Sequence, residues 1–149
     1  MARMDTLQQT EIAVQRTDSP MAEKDRAAIM ANPGFGKYLT DHMVTIRYTH
    51  DKGWHDARVS PLQDLGLSPG TMVLHYAGEI FEGMKAYRLP DGGVTLFRPG
   101  ANASRFNASA ERLAMAQIPE DMFVSAVRAL VHADQDWVPP QDGASLYLR

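Results

Sequence analysis

The sequence has 149 residues, of which 44% are hydrophobic and 22% charged, and its formal net charge is -3 at pH 7. This length suffices for one domain with a buried core, and the charge gives no electrostatic basis for binding nucleic acid or an anionic membrane. The chain has no cysteine, which excludes disulfides, thiolate catalysis and cysteine-ligated metals within it.

The sequence also gives no indication of a metal site, a membrane span or a secretory signal. The five histidines show no HxxxH or paired spacing, so we expect no metal site. No stretch approaches the roughly 18 apolar residues needed to cross a bilayer, and the first residues lack the long apolar run of a secretory signal. We therefore expect a cytoplasmic protein with no membrane partner.

Residues 1–34 are polar and weakly periodic, and they contain break signals at Asp18-Ser19-Pro20 and Asn32-Pro33-Gly34. We predict a partly mobile N-terminal arm here, with a short helix over Ala22–Ala31. An arm that packs on a partner subunit is the alternative. Residues 35–149 are predicted to form one domain.

The first part of that domain is predicted to be β-structure. Residues of His42–Thr49 alternate between two faces, as in a strand. A turn at Asp51-Lys52-Gly53 predicts that Trp54–Val59 returns as the second strand of a hairpin. Ser60–Gly66 is expected to be a loop or short helix, and Thr71–Tyr76 a further strand.

A second hairpin is predicted from Met84–Leu89 and Val94–Arg98, joined by Pro90-Asp91-Gly92-Gly93. Pro99 suits the first turn of the helix that should follow, because its missing N–H costs nothing there. This helix should reach Leu113.

A second helix is predicted from Pro119, with acidic residues at its positive end, and it should end at Pro139-Pro140. Its apolar residues have amphipathic spacing: Met122, Phe123, Ala126, Val127, Leu130 and Val131.

Ala144–Arg149 reads as a last strand. The predicted class is α+β, with a largely antiparallel sheet and helices packed on it. Because the sequence stops within that strand, we expect it to be part of a longer one.

Arg105 is the first candidate for a functional role. It lies about two turns into the predicted helix, where a guanidinium could bind a phosphate or carboxylate through two hydrogen bonds. A solvated side chain, or an ion pair with Glu111 or Asp121, is the alternative, and spacing alone favours that alternative.

Aromatic residues provide further candidates. Tyr147 and Arg149 are two apart on the last strand and so point the same way, which would suit a ligand with a carboxylate. Phe35, Tyr76 and Phe81 could wall a pocket, although aromatics at such positions are more often core.

Two residues with reactive side chains receive ordinary interpretations. Glu82-Gly83 is interpreted as a turn rather than as acid–base chemistry. Lys85 lies in an alternating strand, so we expect a surface lysine and not a nucleophile. No dinucleotide, Walker A, HExxH or GxSxG motif occurs.

Several blocks of sequence, in order, resemble branched-chain amino-acid aminotransferases, which are pyridoxal 5'-phosphate (PLP) enzymes of fold-type IV. The blocks are FGKYLTDHMVTIRY, LSPGTMVLHY, LHYAGEIFEGMKAYR, LFRPGANASRF, SAERLAM, DWVPP and SLYLR. The resemblance covers roughly residues 33–149, which corresponds to the small N-terminal domain of that family.

The resemblance implies roles for particular residues. Arg105 matches the arginine that binds the cofactor phosphate, and Arg149 matches one that holds the distal carboxylate of glutamate or 2-oxoglutarate. The aromatics that match the wall of the substrate side-chain pocket are Phe35, Phe81 and Tyr147. Tyr76 matches a tyrosine that reaches into the neighbouring subunit's site, which implies a homodimer.

The resemblance also implies what this chain lacks. In the family, the Schiff-base lysine and the glutamate facing the pyridine nitrogen lie in the C-terminal domain. We therefore expect no catalytic residue in this chain and no aminotransferase activity from it alone. The complete enzyme would transfer amino groups between leucine, isoleucine or valine and 2-oxoglutarate.

Two alternatives remain open. Another fold-type IV enzyme, such as a D-amino-acid aminotransferase or aminodeoxychorismate lyase, would share the phosphate arginine but not the long FEGMKAYR and SLYLR blocks. A non-catalytic binding or assembly module is the other. A downstream lysine-bearing domain would decide for an enzyme.

Overall fold

The computed structural model describes residues 12–149, so the part of the predicted arm at residues 1–11 lies outside the described residues. The strands are β1 (Ala13–Val14), β2 (His42–Thr49), β3 (Gly53–Pro61), β4 (Met84–Arg88), β5 (Val94–Leu96) and β6 (Leu146–Leu148). The helices are α1 (Glu23–Ala31), α2 (Met72–Tyr76), α3 (Pro99–Arg112) and α4 (Glu120–Ala133), followed by a 3₁₀ turn at Gln135–Trp137.

The strands form two three-stranded sheets, with the orders β1-β3-β2 and β5-β4-β6. Within residues 12–149 the short β1 is the one strand that pairs in parallel, with β3, and both predicted hairpins are antiparallel. The α+β class with largely antiparallel pairing is confirmed. The expectation of a single sheet is corrected, because the strands divide between two.

Strand β4 lies at the centre of the second sheet. Ala86 is fully buried, and it pairs with Leu96 on one side and with Leu146 on the other. Lys85 points to the opposite face and is exposed, as the alternation predicts. Because Ala86 is small, the helix that carries Val131 can pack directly on the sheet.

Helix α4 connects the two sheets. It packs on β2 and β3, and its residue Val131 contributes to the core of the second sheet. Its predicted amphipathic face is confirmed by the burial of Met122 and Ala126. Helix α3 packs alongside through Phe106, whose ring centroid lies 5.3 Å from that of Phe123.

The prediction of a strand at Thr71–Tyr76 is wrong, because this segment contains the short helix α2. The turn before the helix is closed by His75, whose Nε2 donates to the carbonyl oxygen of Pro69 at 2.6 Å. Ala77, at φ 48°, then ends the helix in the left-handed region. An extra strand would also have no free edge on β4, since β5 and β6 occupy both of its sides.

Two predicted boundaries are also corrected. Helix α4 ends at Ala133 rather than at the prolines, since the next residue, Asp134, is held by hydrogen bonds to His42. Strand β3 continues through Ser60-Pro61, where a loop or helix was expected, because these residues still pair with β2.

Residues of the predicted arm contact the domain at several points. The N–H of Thr17 donates to His42 Nε2 at 2.9 Å, and the N–H of Met21 donates to Asp41 Oδ1 at 3.1 Å. His42 Nδ1 lies 2.6 Å from Asp134 Oδ1. The Nε2 atom accepts a hydrogen bond, so the ring proton is on Nδ1 and is donated to the carboxylate. The predicted mobility of the arm stays a prediction.

No helix in the described part of the chain combines the length and apolar character needed to cross a membrane.

Candidate functional site

The candidate site lies beside the first turns of α3. Arg98, at φ 49°, turns the chain sharply out of β5, and Pro99 begins the helix. Asn102 and Arg105 follow, three residues apart and therefore neighbours on one face of the helix. Both side chains are hydrogen-bonded to the carboxylate of Glu82.

Glu82 and Arg105 form an ion pair along one edge of the guanidinium. The Nε–H of Arg105 donates to Glu82 Oε2 at 2.8 Å, and Nη2 donates to Oε1. Only 5% of the Glu82 side chain is exposed, compared with 68% of the Arg105 side chain. A buried carboxylate therefore holds an arginine that is itself open to ligands.

The pair is ionised over a wide pH range. Hydrogen bonds from Arg105 lower the pKa of Glu82 to about 2, although burial of the carboxylate acts in the opposite direction. Asn102 and the N–H of Gly83 contribute to the same lowering. Glu82 in turn raises the pKa of Arg105, so both members of the pair are charged near neutral pH.

An aromatic pair lies next to this ion pair. The rings of Phe35 and Tyr147 are tilted by 40°, with centroids 5.3 Å apart. Tyr147, in β6, packs over Gly83: a Cβ atom built at Gly83 would lie 2.6 Å from the Tyr147 hydroxyl oxygen. The absence of a side chain at Gly83 therefore allows Tyr147 to lie directly beside the Glu82-Gly83 segment.

Phe81 and Arg105 line an open groove of about 550 Å³. Arg112, two turns further along the same helix, also lines this groove. The remaining lining residues are Ile80, Ala108, Ser109 and Leu113. Phe81 is 67% exposed, so its ring is available to contact a ligand or another protein surface. The groove combines two arginines with apolar side chains, which suits a ligand with an anionic group and an apolar body.

The structure thus brings four predicted site residues into two neighbouring sets, Arg105 with Phe81 and Phe35 with Tyr147. The other two are not gathered with them. Tyr76 lies on α2, is 77% exposed and contacts His75. Arg149 is exposed and directly follows β6.

The interpretation of Glu82-Gly83 as a simple turn is corrected, and so are the proposed ion-pair partners of Arg105. The partner is Glu82, not Glu111 or Asp121. The two residues are 23 positions apart, and the carboxylate is buried where helix α3 meets the approach to β4. Sequence spacing contains no signal for such a contact, although the glycine after Glu82 marked a place of close approach.

Comparisons with known proteins extend these observations. No protein-family model matches the chain. A "Probable branched-chain-amino-acid aminotransferase" from Streptomyces coelicolor is 57% identical over 131 residues, which is 87% of this chain and 36% of that protein. A "Branched-chain-amino-acid aminotransferase" from Mycolicibacterium smegmatis is 52% identical over 140 residues, which is 93% of this chain and 38% of that protein.

A more distant relative is "Branched-chain-amino-acid transaminase 1" from Bacillus subtilis, which is 46% identical over 116 residues. That match covers 78% of this chain and 33% of the relative. The chain therefore spans between 33% and 38% of the length of these curated relatives. The resemblance predicted from the motifs is confirmed.

Proposed function

We propose that this chain, which is homologous along nearly its whole length to branched-chain-amino-acid aminotransferases, forms the part of such an enzyme that holds the cofactor phosphate and one wall of the substrate pocket. The observation that carries the proposal is the 57% identity to the Streptomyces relative over 87% of the chain. The complete enzyme would exchange amino groups between leucine, isoleucine or valine and 2-oxoglutarate.

The cofactor that we propose is PLP, whose pyridine ring supplies the electron sink for amino-group transfer when it is bound. Arg105 fits its phosphate group. The guanidinium is largely exposed, lines the groove and is already oriented by Glu82. Two hydrogen bonds from one planar guanidinium would fix both the position and the orientation of a phosphate.

The aromatic residues would hold the substrate side chain. Phe81 would close one side of the apolar pocket, and the Phe35–Tyr147 pair would close another. Apolar walls favour leucine, isoleucine and valine over polar amino acids, but a single methylene changes binding by only about 1–3 kcal/mol. We therefore expect all three amino acids to be substrates.

Two further residues would act where chains or domains meet. Tyr76 is highly exposed on α2, which supports a role in the site of a neighbouring subunit of a homodimer. Arg149 would bind the distal carboxylate of 2-oxoglutarate or glutamate. Lys85 is exposed on β4, so we do not assign it the role of the catalytic lysine.

The test compares two proteins: the 149-residue chain and the product of its complete reading frame. Each is incubated with PLP, 2-oxoglutarate and leucine, isoleucine or valine, and glutamate formation is measured. We expect activity from the complete protein and none from the chain alone. A reading frame that ends at Arg149, or transamination by the chain itself, would contradict the proposal.

The anchor role of Arg105 is tested in the complete protein with Arg105→Ala and the matched variant Arg128→Ala. Arg128 is an exposed arginine on α4 that lines a different groove. The loss of two charge-assisted hydrogen bonds should weaken PLP binding at least about tenfold in Arg105→Ala. Arg128→Ala should leave the affinity unchanged.

A further inference from the structure

The carboxylate of Glu82 accepts hydrogen bonds from three residues, Arg105, Asn102 and Gly83. Besides the two bonds from Arg105, Oε1 accepts from Asn102 Nδ2 at 3.1 Å and from the N–H of Gly83 at 2.8 Å. Three of these four donors reach Oε1, and the Nε–H of Arg105 reaches Oε2. Because donors on both oxygens hold the carboxylate, Glu82 has little freedom to change its orientation.

The two parallel hydrogen bonds with Glu82 fix the plane of the Arg105 guanidinium. Arginine has five N–H donors in a rigid fork, and Glu82 occupies the edge formed by Nε and Nη2. Within the described residues, the hydrogen bonds of Arg105 side-chain nitrogens all go to Glu82. The end-on edge, formed by Nη1 and the second proton of Nη2, remains for an anion.

We infer that Glu82 is a positioning residue for the cofactor phosphate: it occupies the side-on edge of Arg105 and thereby aims the end-on edge at the phosphate. This inference rests on the proposed function. It adds a residue that touches neither cofactor nor substrate and acts through Arg105 alone.

Charge and orientation act on phosphate binding in opposite directions here. Glu82 places a negative charge beside the phosphate site, so a purely electrostatic effect would make Glu82→Gln bind phosphate more tightly. The exposed guanidinium would otherwise rotate freely, and ordering a long side chain costs conformational entropy on binding. Our inference requires that orientation outweighs charge, so that Glu82→Gln binds phosphate less tightly.

The experiment measures dissociation constants for PLP and for pyridoxal, which lacks the phosphate, in the complete protein. The variants are Glu82→Gln and Asn102→Ala. Asn102 donates to the same carboxylate and to the carbonyl of Gly83, so its removal tests general loosening while the ion pair remains. Thermal melting of each protein verifies that the folded states are compared.

We expect Glu82→Gln to weaken PLP binding up to about tenfold, the cost of ordering one long side chain on binding, with pyridoxal affinity unchanged. Asn102→Ala should retain the wild-type preference for PLP. Equal or tighter PLP binding in Glu82→Gln, or the same loss for PLP and pyridoxal, would overturn the inference while the anchor role of Arg105 stands. A wild-type protein without any preference for PLP would overturn both.

NMR spectroscopy of the wild-type protein tests the same inference without requiring any variant to fold. In wild-type protein with ¹⁵N-labelled arginine, inorganic phosphate should shift the Nη signals of Arg105 and leave its Nε–H signal in place. A large shift of the Nε–H signal would mean that phosphate displaces Glu82, which overturns the inference.

Discussion

Two buried carboxylates of this chain each hold a basic side chain, but they present those basic groups in opposite ways. Asp134 and its partner His42 are both buried, with 2% and 4% of their side chains exposed. Glu82 is similarly buried, yet 68% of the side chain of its partner Arg105 is exposed.

The two pairs have different surroundings. The His42–Asp134 pair lies between β2 and the end of α4, and Thr17 closes it from the third side. In the Glu82–Arg105 pair the carboxylate is buried and the guanidinium is exposed. The exposures of the basic partners differ accordingly: the His42–Asp134 pair presents no basic group at the surface, whereas the Glu82–Arg105 pair presents a guanidinium there.

Asp134→Ala should give the largest loss of stability, and it directly tests the role of the His42–Asp134 pair. The substitution leaves two buried N–H groups of His42 without an acceptor, and each buried donor left without a partner costs about 1–3 kcal/mol. Urea denaturation measures the free energy of unfolding. Asp136→Ala is the control, because that side chain is 71% exposed and 3.9 Å from Arg26. A similar loss in both variants would contradict the structural role of Asp134.

Glu82→Gln should have a smaller effect that depends on pH. At neutral pH we expect a loss of about 1.5–3 kcal/mol, the value of a hydrogen bond to a charged group. The folded-state pKa of Glu82, about 2, lies below its ordinary value of 4.5. The stabilisation is therefore complete above pH 4.5 and is lost as the pH falls toward 2.

The free energies of unfolding of wild type and Glu82→Gln should consequently converge between pH 4.5 and pH 2. Urea denaturation at several pH values measures this convergence. Glu111→Gln, an exposed position on α3, should differ from wild type by less than about 0.5 kcal/mol throughout. A pH-independent difference for Glu82→Gln would show that the ionised pair does not stabilise the fold.

Gly83→Ala should disturb the open region next to Glu82. The added Cβ would approach the Tyr147 hydroxyl to 2.6 Å, so the ring, which now packs against Phe35, would have to shift. We expect a loss of about 1–3 kcal/mol, as in other overpacked sites. Gly100→Ala is the matched control, because nothing lies within 4 Å of its Cβ position. Wild-type stability in Gly83→Ala would mean that Tyr147 rearranges without cost.

Arg16→Ala should have the smallest effect on stability, and it tests a contact at the end of α4, next to the His42–Asp134 pair. Its Nη1 donates to the carbonyl of Ala133 at the end of α4, at 3.1 Å. An exposed cation at a helix C-terminus contributes about 0.3–1 kcal/mol. Thermal melting in low and high salt measures the effect, which should shrink with added salt. Arg16→Lys should recover part of the loss.

Much of the secondary structure could be predicted because its signals are local. The hairpin around Gly92 has its turn residues next to its strands, and α3 begins at the predicted Pro99. The amphipathic spacing of α4 predicted its buried face. The prediction of a strand at Thr71–Tyr76 was wrong, because a short apolar run has the same composition in a strand and in a helix. Its conformation depends on tertiary contacts that such a run does not specify.

Fewer features of the candidate site could be predicted: the resemblance identified individual residues but not the contacts between them. Arg105, Phe35, Phe81 and Tyr147 were identified from motif resemblance, and their roles stay proposals. Glu82 was present in the same motif but was interpreted as a turn. Its contact with Arg105 spans 23 positions, and nothing in the sequence pattern states which residues meet across that distance.

The sequence by itself determined the order of most elements, the amphipathic faces and the resemblance to branched-chain-amino-acid aminotransferases, since each of these depends on neighbouring residues or on matching blocks. Only the tertiary structure decided that Glu82 faces Arg105 and that Asp134 faces His42, 92 positions away. The physical reason is that the burial and pairing of polar and charged side chains depend on how helices and sheets pack. In this chain, packing places one basic group inside the protein and leaves the other at its surface.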